Sequence, residues 1–271
     1  MRNVDKTGRY TSLDYNFLHG VYERKFDIAD LGQQVMPGKQ KLKLLKNCVE
    51  KIDKIRHKKF QQRLAKGEYN SEPIQFQRAD NVKDAMKFAK KHKLVRYFRG
   101  VDKNSNADLE LLNRVNEALC NIHNKTKGKS IMPSSVRICE TLKSADNIPA
   151  SAGYSLYGGK LFIPRNNTDL QLSTIYHEMG HANHFINVDA KHYSRLGEIA
   201  YNGGDKRITE AFLADNELQS LIKNRLRDYA ASSPAEFVAD MFSALMQGKK
   251  MPIKLHEAYR ALKGPSIAYS A

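Results

Sequence analysis

The sequence predicts an α+β chain in two parts. A mostly α-helical, basic region covers residues 1–130. A second domain, 131–271, combines a small antiparallel or mixed sheet, with an edge strand, and two helices whose polar faces carry His and acidic residues. Three observations carry this. Residues 1–130 hold 29 Lys+Arg against 15 Asp+Glu, a net of +14, whereas 131–271 hold 16 against 14, a net of +2. Short alternating segments appear only after residue 131. The helical spacing late in the chain places chemistry-bearing side chains on single faces.

Composition sets the outer limits. With 271 residues and a 41% apolar fraction, the chain can build a sizeable core. No run of eighteen apolar residues occurs, so no membrane span is expected. Met1-Arg2-Asn3-Val4-Asp5 has no apolar signal core. The expectation is synthesis and residence in a cytoplasm, with signal-independent export or delivery into another cell left open. Cys48, Cys120 and Cys139 are odd in number and outside any C-x-x-C spacing, so they read as reduced thiols.

In the basic region, helical patterns run near 39–67, 80–98 and 107–124. In the first, Leu45, Cys48, Val49, Ile52 and Ile55 make an apolar stripe with lysines around it. Lysine is a compact, hydrated charge with little bidentate specificity, so solvated helix faces are the expectation. The competing reading is attraction to an anionic partner: nucleic acid, anionic lipid or an acidic protein. No zinc finger, RNP-type aromatic run or Trp supports it.

Lys125-Thr126-Lys127-Gly128-Lys129-Ser130 is a polar loop and the expected boundary. Ser135-Val136-Arg137-Ile138-Cys139 alternates like a strand. Tyr154-Ser155-Leu156-Tyr157 and Lys160-Leu161-Phe162-Ile163 read as a hairpin around Gly158-Gly159. Pro164 ends the second strand and suits an edge position. Lys160, Leu161, Phe162 and Ile163 are therefore expected to bind an extended substrate by strand addition. Thr168-Asp169-Leu170-Gln171 has the form of a capping box at the start of the next helix.

That helix contains Tyr176-His177-Glu178-Met179-Gly180-His181-Ala182. Residues four apart share a helix face, so His177 and His181 can reach one metal ion. Glu178, rotated about a quarter turn away, can act on a water as general base. This spacing is that of zinc hydrolases. Leu172, Ile175, Tyr176, Met179 and Ile186 cluster on one side, and Thr174, His177, His181 and His184 on the other. Gly180 costs about 1 kcal/mol relative to Ala in a helix, which a close backbone approach would explain. His184 reads as a partly exposed surface residue, or as a substrate contact.

A catalytic zinc takes three protein ligands and keeps one position open. The metzincin continuation would need Gly and His or Asp where the chain has His184 and Asn187. Asp189 and His192 fit no pattern. The better candidate lies in a helix capped by Ser233 with Pro234 at its first position. Val238, Met241, Phe242 and Leu245 form its apolar face, with Glu236, Asp240 and Ser243 opposite. Glu236 could instead serve only as the Glu of a capping box.

Glu236 and Asp240, one turn apart downstream of His-Glu-x-x-His, resemble the gluzincin arrangement. The segment Tyr229-Ala230-Ala231-Ser232-Ser233-Pro234-Ala235-Glu236-Phe237-Val238-Ala239-Asp240 is similar to the catalytic domain of the anthrax lethal factor family. Tyr229, Glu236, Phe237, Ala239 and Asp240 match, with Val238 in place of a second Phe and Asp240 in place of Glu. The resemblance covers about residues 150–250. It implies a zincin-like fold and a Zn2+-dependent endopeptidase acting on a protein or peptide, toxin- or effector-like in type. His177, His181 and Glu236 would hold zinc, and Asp240 would orient a ligand histidine, His177. Tyr229 would donate a hydrogen bond to the developing oxyanion, beside Glu178 as general base. Substrate and delivery do not follow from it. Two rivals remain: a metallopeptidase tethered to nucleic acid by its basic half, and a non-catalytic binding protein with structural zinc. A structural site has no need of Glu178, which weighs against the last.

Overall fold

The computed structural model describes residues 58–142, 149–155, 159–188 and 206–267. The chain divides into two compact units, Met1–Arg63 and Leu64–Ala271. The elements below all lie in the second. Of the helix expected over 39–67, residues 58–65 are described and helical, while the stripe from Leu45 to Ile55 lies outside the described residues.

Asn81 accepts the Asp84 N–H and starts helix α1 (Val82–Lys91), a cap of the kind worth about 1 kcal/mol. The sequence pattern carries this helix to residue 98, but it stops at Lys91. The Leu94 N–H reaches back to Ala89 O at 2.9 Å, and Lys93 adopts φ 58°. This is a Schellman-type ending built on Lys rather than on the Gly that would announce it. Leu94 and Val95 turn into the core, and the chain enters strand β1 (Tyr97–Arg99).

Ser105 caps helix α2 (Asn106–Lys125), which buries Leu111, Leu112, Val115, Leu119 and Ile122. The alternating segment forms strand β2 (Ser135–Cys139) as expected. Strands β3 (Gly153–Ser155) and β4 (Lys160–Pro164) follow. The sheet order is β1-β2-β4-β3, with β1, β2 and β4 parallel and β3 antiparallel to β4. Val136 lies opposite Leu161 and Ile138 opposite Ile163, all four buried. Each such side chain contributes about 1.5–3 kcal/mol on burial.

Two hairpin expectations are corrected here. Ser155, not Tyr157, stands opposite Lys160, so the connection spans 156–159 rather than a two-residue Gly158-Gly159 turn. Gly159, at φ 59°, supplies its left-handed position; residues 156–158 lie outside the described set. More consequentially, β4 is an internal strand, hydrogen-bonded to β2 on one side and to β3 on the other. Pro164 therefore sits at a strand end rather than on a sheet edge.

Helix α3 (Leu172–Asn187) begins after Gln171, whose side chain makes no capping bond. The capping box read at 168–171 does not form; those residues belong to a turn ahead of the helix, in which Leu170 N–H meets Asn167 O. Helices α4 (Lys206–Ala214) and α5 (Asn216–Arg225) lead to a 3-10 turn (Asp228–Ala231), then to α6 (Pro234–Met246) and α7 (Ile253–Ala261). The architecture is mixed α+β with a small mixed sheet. Among the described residues no helix is long and apolar enough to cross a membrane.

The boundary expected near 125–131 is crossed by structure. Strand β1 pairs with β2. Asn121 donates to the Tyr176 hydroxyl at 2.9 Å and Lys125 Nζ to Met246 O at 2.7 Å. Arg165 ties Gly100 O (2.6 Å) and the buried Asp108 (2.9 Å) to the end of β4. Residues 64–130 thus share one unit with 131–271, and the division falls after Arg63.

Candidate metal centre

Helices α3 and α6 cross where α3 has no side chain. A Cβ added to Gly180 would stand 2.8 Å from the Ala239 Cα and 3.1 Å from its carbonyl oxygen. No real Cβ tolerates the first contact, so only Gly lets the two backbones approach this closely. His177 and His181 flank Gly180, and Glu236 and Asp240 flank Ala239. The crossing point therefore sets the spacing of all four polar side chains. The Ser243 hydroxyl, donating to Ser173 O at 2.8 Å, adds a second tie between the helices.

Three donor atoms converge there. His177 Nε2 lies 3.1 Å from His181 Nε2 and 3.2 Å from Glu236 Oε2, and His181 Nε2 lies 3.4 Å from the same oxygen. The rings of the two histidines meet at 90°. Glu236 Oε2 is buried, yet it receives no well-directed hydrogen bond even with two ring nitrogens this near. The atoms aim at a common point rather than at one another. An orphaned carboxylate oxygen facing two imidazole nitrogens is a set that can hold a metal ion.

Electrostatics favour positive charge at this point. Burial opposes a charge on His177, but its bond to Asp240 and the nearby carboxylates of Glu236 and Glu178 win and push it up to about 10. Burial likewise works against the Glu236 carboxylate, yet His177 and His181 hold it well below the usual range. A field that stabilises a proton here stabilises a metal cation in the same way.

His177 Nδ1 donates to Asp240 Oδ1 at 2.8 Å. That bond keeps a ring proton on Nδ1, so that Nε2 is the nitrogen that would lose its proton and turn its lone pair to a metal at the centre. Asp240 in turn receives Arg227, Nε to Oδ2 at 2.5 Å and Nη2 to Oδ1 at 2.6 Å. Arg227 Nη2 and His177 Nδ1 stand 3.2 Å apart because both donate to one oxygen. Arg227 escaped the sequence reading. Nothing in Arg225-Leu226-Arg227-Asp228 sets it apart from Arg225; only its place two residues before Tyr229 could have drawn notice.

Ser233 accepts the Glu236 N–H at 3.3 Å, and Pro234 opens α6. The backbone of Glu236 thus serves the cap while its carboxylate serves the centre, so capping and metal binding do not compete. Tyr229, on the 3-10 turn, is 56% exposed. Burial of its hydroxyl end and the charges of Glu236 and Glu178 push its phenol up to about 12. Glu178 is partly exposed, and its charge acts on both His177 and Tyr229.

Other residues singled out from sequence lie elsewhere. Lys160, Leu161 and Phe162 pair with both β2 and β3, Ile163 pairs with Ile138 on β2, and Leu161 and Ile163 are fully buried. Strand addition of a substrate at β4 is therefore ruled out. His184 is not a surface residue: it is buried and donates Nε2–H to Leu262 O at 2.8 Å. Asp189 and His192 fall outside the described residues. Cys120 and Cys139 are free thiols.

Comparison of the chain with models of known families, with curated proteins and with solved structures finds no match.

Proposed function

We propose that the chain is a zinc-dependent endopeptidase with a zincin-like catalytic unit, His177, His181 and Glu236 holding the metal. The observation that carries this is the triangle of Nε2, Nε2 and Oε2 atoms with edges of 3.1, 3.2 and 3.4 Å. Three vertices of a tetrahedron with 2.0–2.1 Å bonds lie about 3.3–3.4 Å apart, so a zinc ion fits this triangle. Calcium prefers six to eight oxygens at longer range and does not suit two imidazoles. Three protein ligands leave the fourth position for chemistry, unlike a closed structural site.

When bound, zinc supplies a Lewis acid that lowers the pKa of water from ~15.7 toward ~7 and polarises the scissile carbonyl. The chain's own groups do the rest. Glu178 takes a proton from the attacking water and passes it to the leaving amine nitrogen as the C–N bond breaks. Tyr229, protonated at neutral pH, donates a hydrogen bond to the oxygen that gains charge. Asp240 keeps the His177 ring in one tautomer.

The test is Glu178→Gln in the zinc-loaded full chain, with a peptide library and product masses as readout. Zinc content should be unchanged and hydrolysis nearly abolished, because an amide cannot take the water proton. A zinc-loaded wild-type chain that cleaves nothing in the library would leave a zinc-binding protein and refute the peptidase.

A further inference from the structure

We propose that Arg227 is a positioning residue that couples the metal-holding His177 to Tyr229 by clamping Asp240 and the Tyr229 ring at once. The role toward Tyr229 rests on the peptidase reading; the role toward His177 requires only metal binding. Arg227 precedes the 3-10 turn, and its side chain reaches back over that turn. The guanidinium carbon lies over the Tyr229 ring, 5.3 Å from its centroid. The edge of the guanidinium forks onto both oxygens of Asp240.

The fork matters for direction. Two parallel N–H bonds fix the plane of the Asp240 carboxylate, and that plane aims Oδ1 at His177 Nδ1. Asp240 is buried, and a buried carboxylate without a compensating cation would be costly to keep in place. Lysine could supply the charge but not the planar fork. The stack matters for Tyr229 because more than half of that residue is exposed, so little else restrains the ring. A planar cation over its face holds the hydroxyl toward Glu178 and Glu236. Displacement of Arg227 would therefore release the His177 support and the phenol together.

The experiment uses the full chain with Arg227→Ala and Arg227→Lys. Zn2+ affinity is read by chelator competition, and Tyr229 ring mobility by NMR of ring-labelled tyrosine. Peptide turnover is read with and without Tyr229→Phe. Urea unfolding of the zinc-free variants checks the fold, which should persist because the Arg227 side chain is 53% exposed. The expected result for Arg227→Ala is a 10- to 100-fold loss of zinc affinity, roughly the effect of removing an outer-shell partner, with a freer Tyr229 ring. Arg227→Lys should recover only a small part. The kcat loss should shrink in the Tyr229→Phe background, with KM little changed. Wild-type zinc affinity in Arg227→Ala, or a Tyr229 ring as immobile as before, would overturn the proposal. A wild-type chain without turnover, combined with the zinc and ring effects, would refute the peptidase while leaving the coupling intact.

Discussion

Gly180 on α3 and Ala239 on α6 meet backbone to backbone, and the absent side chain at 180 is what lets the donor atoms of His177, His181 and Glu236 converge from two helices. In Gly180→Ala the new Cβ would lie 2.8 Å from the Ala239 Cα. A backbone atom cannot swing aside as a side-chain tip can, so the helices must separate. Overpacking of this kind costs about 1–3 kcal/mol, which outweighs the roughly 1 kcal/mol that Ala gains in helix propensity. The expected outcome is a lower melting temperature and weaker zinc binding in the same variant. A variant as stable as the parent, with wild-type zinc affinity, would show that the crossing can relax.

Tyr229→Phe should leave zinc affinity and stability unchanged, since the residue is largely exposed and its hydroxyl is no ligand. Hydrolysis should fall by roughly 10- to 1000-fold in kcat, the scale of losing one donor to a developing oxyanion. Steady-state kinetics on the best library peptide would decide, and an unchanged kcat would reduce Tyr229 to a lid over the Arg227 guanidinium.

His184 makes stability depend on acidity. Burial pushes it from 6.5 down to about 4, against the opposing pull of the Leu262 carbonyl and with help from His181. Between these two values the unfolded chain takes up a proton that the folded chain refuses. Stability from this residue is therefore complete above pH 6.5, falls as pH drops toward 4, and is fully lost below that. The whole effect is on the order of 3 kcal/mol. Urea unfolding at pH 7 and pH 5 should show a smaller difference for His184→Gln than for the parent. Equal differences would mean that His184 opens to water before the chain unfolds.

A fragment of residues 131–271 should not fold. It would lack β1, which covers one edge of β2, and α2, whose apolar face packs on α3. Loss of near-UV circular dichroism and of zinc uptake would be the signature. A folded, zinc-binding fragment would show that the links through Asn121, Lys125 and Arg165 are dispensable.

The basic residues before 131 are expected to be solvated, so the full chain should bind duplex or single-stranded nucleic acid weakly at physiological salt. A gel shift across a salt series reads this directly. Submicromolar binding that weakens steeply with salt would instead indicate phosphate neutralisation and counterion release.

What could be read in the sequence depended on how local its cause was. The spacing of His177 and His181, the cap at Ser233 and the alternation from Ser135 to Cys139 follow from neighbours within one or two turns, and each is where the pattern put it. The ending of α1 was hidden because Lys93 takes a left-handed conformation more typical of Gly. The internal place of β4 depends on β2, which lies more than twenty residues earlier and pairs in parallel with no turn to mark it. Arg227 has no local signature, because its partner Asp240 lies 13 residues on and His177, which donates to the same carboxylate, lies 50 residues back. His184 lies on the same helical face as the ligands, yet the loop after α7 covers it, which periodicity cannot show.

The cap on α6 has a thermodynamic consequence. Glu236 is the third residue of that helix, so its carboxylate is in position only while the first turn is wound. A ligand that binds one of two interconverting states has its apparent affinity reduced by the fraction of the other. Ser233 sets that fraction through a hydrogen bond to the Glu236 backbone, without touching the ion. The affinity of the centre for a metal would thus be adjustable from a position outside it, through the winding of a single helical turn.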